Sequence, residues 1–331
     1  MSDYEIRSYR PGDEELILEA WNRHLGGSLG PRGLDDWNWV HRANPAGGEP
    51  GPRIALALHG GRVVAHYASQ PTRVITDGEE HVFSQVVDAF ADPDHASAGG
   101  EAGLLVETAR RMLAESCGPN LDLVAYHWPE EGLWEASKAH LRFEMVRMQT
   151  VLARDVAPLR LAPEACEIGP LTELGEEVRW LYDRCAGEWG ASGLRDAAYL
   201  DWRFVQNPRR DYALLGARDR EGLLRGYAVH RPGDWPGPGA TWLVDWLVPA
   251  GEEEVGRALL AALLAHGRAA GSPRLLAMFP EWSPWFQRFQ EWGFQVHATH
   301  LVMAARKTHP RHEMYWLRDH WWYQPADLEL V

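Results

Sequence analysis

Three side chains in the first half of the chain have the chemistry for proton transfer: Asp88, His127 and Glu130. Asp88 lies inside the apolar segment 82–91, which has the composition of a strand, and burial there would raise its pKa towards that of a general base. His127 and Glu130 flank the end of the next predicted strand, and a histidine titrates near neutral pH. Two of these residues also have a structural interpretation. Asp88 can pair with an arginine or a backbone amide, and His127 can be an ordinary core or surface histidine.

A second chemical feature is the loop at residues 92–103, which contains Gly99 and Gly100. The loop follows the strand and precedes a segment with helical periodicity, whose apolar positions are Leu104, Leu105, Thr108, Ala109, Met112 and Leu113. A strand, a glycine-bearing turn and a helix N-terminus form a cradle for an anion, because free amide hydrogens and the helix dipole point into the turn.

This arrangement resembles the GNAT N-acyltransferase superfamily, whose fourth strand and third helix hold the pyrophosphate of acyl-CoA. The family pattern is Pro-x-x-Arg-Gly-x-Gly-x-Gly followed by a Leu-Leu pair. With Pro93 and Leu104-Leu105 in register, the arginine position falls on Ala96, and the glycine positions fall on Ser97, Gly99 and Glu101. The resemblance implies acetyl-CoA or another acyl-CoA as the cofactor. The residues it places around that cofactor are Ala91, Ser97, Gly99, Gly100, Ala102 and Gly103.

The resemblance also implies the reaction and the place of the active site. In this superfamily an amine attacks a thioester directly, so the enzyme positions the reactants, removes a proton and protonates the leaving thiolate. Its catalytic groups lie on the fourth and fifth strands, where the sheet splays. We therefore expect Asp88, His127 and Glu130 to face one cleft and to be the catalytic residues.

The periodicity of the first half predicts the element order of the same fold. Strands are expected at 4–9, 54–58, 63–69, 82–91, 121–126 and about 144–153, and helices at about 13–25, 34–42, 104–115 and 131–140. Asp13 has the position of an N-cap. The predicted fold class is α/β, with a mixed sheet flanked by helices.

The second half repeats the first. Trp39-x4-Asn44-Pro45 returns 163 positions later at Trp202, the strand residue Asp88 returns 157 positions later at Asp245, and Pro129-Glu130 returns 151 positions later at Pro280-Glu281. Ordered matches with a slowly drifting offset indicate an internal repeat. The sequence thus predicts two tandem GNAT-like domains, at 1–155 and 156–306, with an aromatic C-terminal segment at 307–331 that docks on the domains.

The second cradle departs further from the family pattern than the first. Pro249 is followed by Ala250, Gly251 and three glutamates, which favour the helix dipole but repel a pyrophosphate. We therefore expect domain 1 to be the catalytic one and the acidic start of the domain 2 helix to be a stabilising cap.

Composition limits the partners. A net charge of −14 argues against DNA and broad nucleic-acid binding, which need a basic face. The N-terminus shows no basic-then-apolar leader and no apolar run approaches a membrane span, so a cytoplasmic protein without membrane contact is expected. Three widely spaced cysteines suggest neither a disulfide framework nor a zinc site, and no metal is expected.

Seventeen tryptophans exceed what a chain of this size needs. Two interpretations stay open: the rings line a pocket for a flat or cationic ligand, or they fill the interface between the domains.

Three functions are compatible with these observations. The first is acyl transfer from acyl-CoA to a small-molecule amine in domain 1. The second is transfer from another activated donor such as aminoacyl-tRNA, since peptidoglycan aminoacyl-transferases also pair two GNAT-like domains and lack the CoA loop. The third is a non-catalytic binding protein, because a fold does not establish a function.

Overall fold

The computed structural model describes residues 4–48, 51–98, 100–159, 166–233 and 239–328, without the side chain of Glu101. The first half of the chain contains β1 (Tyr4–Ser8), α1 (Glu14–His24), α2 (Gly26–Leu29), α3 (Leu34–His41), β2 (Arg53–His59), β3 (Arg62–Thr76), β4 (Glu79–Ala91), α4 (Gly103–Ser116), β5 (Asp122–His127), α5 (Glu131–His140) and β6 (Glu144–Asp155). The second half contains β7 (Glu167–Pro170), α6 (Glu176–Ala186), β8 (Ala191–Gly193), α7 (Ala197–Leu200), β9 (Ala213–Arg218), β10 (Leu224–Gly233), β11 (Ala240–Leu247), α8 (Glu253–Ala269), β12 (Arg274–Ala277), α9 (Pro284–Glu291) and β13 (Gln295–Lys307), followed by α10 (Met314–His320) and β14 (Trp321–Trp322).

The chain divides into two compact units, each drawn from separate stretches of sequence. Unit 1 comprises residues 1–74, 80–147 and 301–316, and unit 2 comprises 75–79, 148–300 and 317–331. The predicted α/β class with a mixed sheet is confirmed. The contiguous boundaries at 155 and 306, and the superposition of the two repeats, stay predictions.

Unit 1 is built on strands β1 to β5 in sequence order, completed beside β5 by residues 301–307 of β13. Strands β1, β2 and β3 pair antiparallel, and the β2–β3 turn has Gly60 and Gly61 at φ 56° and 76°. Positive φ at both central residues is what a two-residue hairpin requires. Strands β4 and β5 then pair in parallel, from Val82 opposite Asp122 to Gln85 opposite Tyr126.

Unit 2 has the corresponding strands in the order β7, β9, β10, β11, β12, completed beside β12 by the end of β6. Strands β11 and β12 are parallel, as β4 and β5 are, and β12 pairs antiparallel with β6, with Leu276 opposite Ala153. Each unit is therefore closed by the last strand of the other sequence repeat. The sequence pattern did not predict this exchange, because periodicity identifies a strand but not its partner.

Apolar helix faces pack on these sheets and form the cores. In unit 1, Ile17, Ala20 and Trp21 of α1 recur at helical spacing and are buried against Val87 and Phe90 of β4. In unit 2, the indole rings of Trp246, Trp285, Trp292 and Trp322 belong to one buried cluster. These four tryptophans are thus core residues of unit 2.

Asp13 is the N-cap residue of α1, as its position in the sequence predicts, but its side chain does not cap the helix. Asp13 makes no side-chain capping hydrogen bond to the helix, and its carboxylate accepts instead from Arg7, with Nη2 2.9 Å from Oδ1, and from the backbone of Arg10. A charge-assisted pair with arginine competes successfully with a helix amide. Among the described residues, no helix has both the length and the apolar character needed to cross a membrane.

Candidate active site

Asp88 is the centre of a buried ion-pair cluster in unit 1. It lies in β4 at φ 53°, a left-handed conformation that aspartate tolerates better than most residues. One carboxylate oxygen accepts a hydrogen bond from the guanidinium of Arg32, and the other lies 3.6 Å from Nε2 of His41. The side chains of these three residues are at most 8% exposed.

The expectation that burial raises the pKa of Asp88 is wrong. Burial does act in that direction, but the positive charge of Arg32 and the hydrogen bond and charge of His41 outweigh it. The pKa of the Asp88 carboxyl is therefore well below its usual range. Asp88 is held ionised and is a poor proton acceptor at neutral pH.

A second histidine contacts the backbone of Asp88. Nδ1 of His66, on β3, lies 2.6 Å from the Asp88 carbonyl oxygen. A carbonyl only accepts, so Nδ1 carries the proton and Nε2 the lone pair. Burial lowers the pKa of His66 to about 4, and its ring stacks on Phe90 at 5.4 Å. His66 is therefore neutral at physiological pH and fixes the direction of a β4 carbonyl.

His127 ends β5, opposite Ala304 of β13, and its ring centroid lies 4.5 Å from that of Phe143. The residue is 3% exposed, and neither ring nitrogen has a hydrogen-bond partner among the residues that the structure describes. Burial lowers the pKa of His127 to about 3. The imidazole is therefore neutral at pH 7, with an unused acceptor lone pair.

Glu130 is exposed and precedes α5 as its N-cap residue in an extended conformation. Its side chain makes no capping hydrogen bond, while its carbonyl accepts from the amide of Trp134 at 2.8 Å. The register of β4 with β5, which runs to Gln85 opposite Tyr126, puts His127 and Asp88 just past the same end of this strand pair. That the three side chains share one cleft stays a prediction.

The predicted anion cradle lies between β4 and α4. The chain makes a 3-10 turn at Gly100–Ala102, and Gly100 and Gly103 both have φ of 80°. The amide of Leu104 donates to the carbonyl of Ala96 at 3.1 Å, so the loop closes on itself. A Cβ on Gly103 would lie 3.0 Å from that carbonyl oxygen, and glycine is required there for both reasons.

The remaining cradle residues are placed as follows. Ala91 ends β4, Ser97 lies in the turn after it, and Ala102 is the N-cap residue of α4 without a side-chain cap. Gly99 and the side chain of Glu101 lie outside the described part of the chain. The first turn of α4 contains no acidic residue, so its amide end has no carboxylate of its own within that turn.

The corresponding helix of unit 2 differs. Glu252, before α8, bonds to the guanidinium groups of Arg184 and Arg225, and Glu253 bonds to Arg257 and Arg288. The acidic start expected for this helix is present, with Glu253 and Glu254 in its first turn. The side chain of the N-cap residue Glu252 makes no cap hydrogen bond, however, and pairs with these arginines instead.

The strand aspartate of unit 2 also pairs with an arginine. Nη2 of Arg195 lies 3.0 Å from Oδ1 of Asp245 and 2.8 Å from Oδ2 of Asp327, and the hydroxyl of Tyr227 donates to Asp245 at 2.7 Å. Burial and the neighbouring Asp327 charge raise the pKa of Asp245 even beside Arg195. The Asp245 carboxylate thus has Arg195 and Tyr227 of the same unit as its partners.

Sequence reasoning missed Arg32, His41 and His66. The internal repeat contained one signal for Arg32. Arg195 follows it by 163 positions, the same offset that separates Trp202 from Trp39, so the arginine belongs to the repeated pattern. Within the described ranges, no three His, Cys, Asp or Glu residues are grouped as metal ligands would be.

Comparisons with solved structures identify the fold. The chain matches a conserved Enterococcus faecalis V583 protein of unknown function, described as a probable N-acyltransferase, with a TM-score of 0.67 and 12% identity over 96% of this chain and 74% of that one. It matches a GCN5-related N-acetyltransferase from Anabaena variabilis with a TM-score of 0.65 and 11% identity, over 92% and 73% of the two chains. It also matches Saccharomyces cerevisiae N-myristoyltransferase with bound myristoyl-CoA, with a TM-score of 0.56 and 8% identity over 100% and 86%.

These likenesses establish that the chain has the GNAT fold, as its loop and repeat pattern predicted. No protein-family profile matches the sequence, and no curated protein matches it either.

Proposed function

We propose that the protein is an N-acyltransferase that transfers an acyl group from acyl-CoA to the amine of a small molecule, with its donor site in unit 1. The observation that carries this proposal is the passage from β4 through the left-handed turn at Gly100 and Gly103 into α4. Such a turn directs backbone amides and the positive end of the helix dipole towards an anion.

The donor would bind through its pyrophosphate to the backbone of the cradle, at Ala91, Ser97, Gly99, Gly100, Ala102 and Gly103. The absence of acidic residues from the first turn of α4 supports this assignment to unit 1. In unit 2, Glu252 and Glu253 lie at the start of α8 and pair with arginines, and carboxylates at that position disfavour a pyrophosphate.

The acceptor amine must lose a proton as it attacks the thioester. Of the three residues proposed for this step, Asp88 is the weakest base, because Arg32 keeps it ionised at low pH. Glu130 is the strongest candidate, because it is exposed at the start of α5. His127 is neutral with an open lone pair, but burial lowers its pKa to about 3, so it too is a weak base. Asp88 would then have a structural role: it would hold β4 in position, together with the contact between its own backbone carbonyl and the ring of His66.

The non-catalytic alternative is favoured by two observations. His127 is 3% exposed and Asp88 is committed to Arg32 and His41, which are features of structural residues. The two proposals differ in whether any donor is consumed.

The experiment is a thiol-release assay. Purified full-length protein is incubated with acetyl-CoA and a panel of primary amines, and free CoA thiol is measured together with the mass of each amine. The proposal predicts amine-dependent thiol release and an acetylated amine. A protein that binds acetyl-CoA without turnover on any amine would support the binding-protein alternative. A protein that consumes aminoacyl-tRNA, but not acetyl-CoA, would overturn the proposed donor.

A further inference from the structure

A cleft of about 290 Å³ lies in unit 2, where β6 ends and β12 and β13 begin. Its charged and polar walls come from Arg154, Asp155, Arg274, Gln295 and His297. This volume is at the small end of the range for small-molecule sites. None of these residues belongs to the proposed donor site or to the Asp245 cluster.

The charges in the cleft are predominantly positive. Two guanidinium groups face one carboxylate, that of Asp155, which lies 3.6 Å from Nε of Arg274. The side chains in that pair are 82% and 61% exposed, so water screens it and it contributes little. The cleft thus contains two arginines and one aspartate, which is an excess of one positive charge.

Arg154 is the residue that requires an explanation. Its Nη1 is buried and has no hydrogen-bond partner within the described ranges. Burial lowers the pKa of the Arg154 guanidinium, although Asp155 acts in the opposite direction. A buried guanidinium nitrogen without an acceptor is unfavourable, because it has lost its hydrogen bonds to water. An anion that enters the cleft would supply the missing countercharge.

The turn before β13 is shaped around this guanidinium. Gly293 has φ of 92°, and a Cβ on it would lie 3.3 Å from Nε of Arg154. A glycine thus lets the backbone approach Arg154 closely and forms one wall of the cleft.

We propose that this cleft binds a small anion through a carboxylate or phosphate group, with Arg154 as the main cationic contact, Arg274 as a second one and His297 as a further polar contact. Arginine suits either group, because its planar fork of N–H donors matches two oxygens at once. The amide of Gln295 adds a neutral donor at the same wall.

The test is calorimetric titration of the full-length protein, at low ionic strength, with inorganic phosphate and separately with acetate. Saturable binding of at least one anion is expected, and the tighter of the two identifies the phosphate or the carboxylate class. Arg154→Gln should weaken that binding about tenfold or more, and Arg274→Gln, at an exposed position, should weaken it several-fold. The control Arg179→Gln removes an exposed arginine of α6 and should leave the affinity unchanged.

The proposal is overturned if neither anion binds, or if Arg154→Gln and Arg274→Gln both bind as the unmodified protein does. Equal weakening in the Arg179→Gln control would also overturn it, because it would show a general effect of charge. Should Arg154→Gln fail to fold, the Arg274→Gln comparison alone decides between these results.

Discussion

The guanidinium of Arg195 lies 3.0 Å from the carboxylate of Asp245 in unit 2, and Arg32 pairs with Asp88 in the same way in unit 1. The two arginines are 163 positions apart, which is the offset of the tryptophan repeat. In both repeats, an arginine two residues before a helix, α3 or α7, thus pairs with a strand aspartate. In each it neutralises a carboxylate inside an apolar strand.

The first prediction concerns the stability of unit 2. Arg195→Met leaves Asp245 and Asp327 as buried carboxylates without their partner, and removal of one member of a buried pair typically costs about 3–5 kcal/mol. Urea unfolding should show a loss of that order. Arg179→Met, which breaks the exposed pair with Asp183, should cost less than about 1 kcal/mol. Similar losses for the two variants would mean that the buried network contributes no more than a surface pair.

The second prediction concerns pH. His66 and His127 have folded pKa values of about 4 and about 3, below the value of about 6.5 for an unfolded histidine. As pH falls, the unfolded state therefore binds a proton first. The stability associated with each neutral histidine is fully present above about pH 6.5 and is lost as pH falls towards the folded pKa.

Between about pH 7.5 and pH 5, each histidine should account for a loss of about 2 kcal/mol in the free energy of unfolding. His127→Leu should therefore reduce the pH dependence by about that amount in urea unfolding at the two pH values. His140→Leu removes an exposed histidine of the same unit and should leave the dependence unchanged. If the free energy of unfolding of His127→Leu depends on pH as strongly as that of the unmodified protein, then His127 is protonated, or solvated, in the folded protein.

Much of the fold could be predicted from sequence. Helix α5 was predicted at 131–140 and begins and ends at those residues, and the other predicted elements of the first half lie within a few residues of the observed ones, except that β3 continues to Thr76. Hydrophobic periodicity and glycine turns are local signals, so they locate elements well. Pairing of Asp88 with an arginine was one of its interpretations from the sequence, but the identity of that arginine could not be predicted, because Arg32 is 56 positions away and no local pattern links the two. For the same reason the pair of Arg195 and Asp327, which are 132 positions apart, could not be predicted from the sequence.

The third prediction concerns the proton transfer. If His127 or Glu130 accepts the amine proton, then His127→Ala or Glu130→Gln should lower the rate of thiol release by about 10²–10⁴. Asp88→Asn should lower it less, and mainly through reduced stability, because the variant removes the buried carboxylate charge that faces Arg32. Glu281→Gln is the matched control, since it changes the exposed glutamate at the equivalent place before α9.

Each rate is compared per folded protein, as measured by circular dichroism. If Glu281→Gln loses activity while the unit 1 variants keep theirs, the active site is in unit 2. Full activity in all four variants would exclude the three proposed residues from the chemical step.

The fourth prediction concerns the donor loop. Ala96→Arg with Glu101→Gly restores the residue types of the family pattern, and should tighten the binding of acetyl-CoA by supplying a cation and removing a carboxylate. Gly103→Ala should weaken it, because the added methyl meets the Ala96 carbonyl and alanine is strained at φ of 80°. Gly251→Ala, in the equivalent loop of unit 2, has open space around it and should have no effect.

Calorimetric titration of these variants with acetyl-CoA tests the proposed donor site most directly. We expect weak binding to the unmodified protein and to Gly251→Ala, tighter binding to the Ala96→Arg, Glu101→Gly double variant, and still weaker binding to folded Gly103→Ala. If the double variant binds no better than the unmodified protein, and Gly103→Ala binds as well as Gly251→Ala, then the loop between β4 and α4 is not the acyl-CoA site.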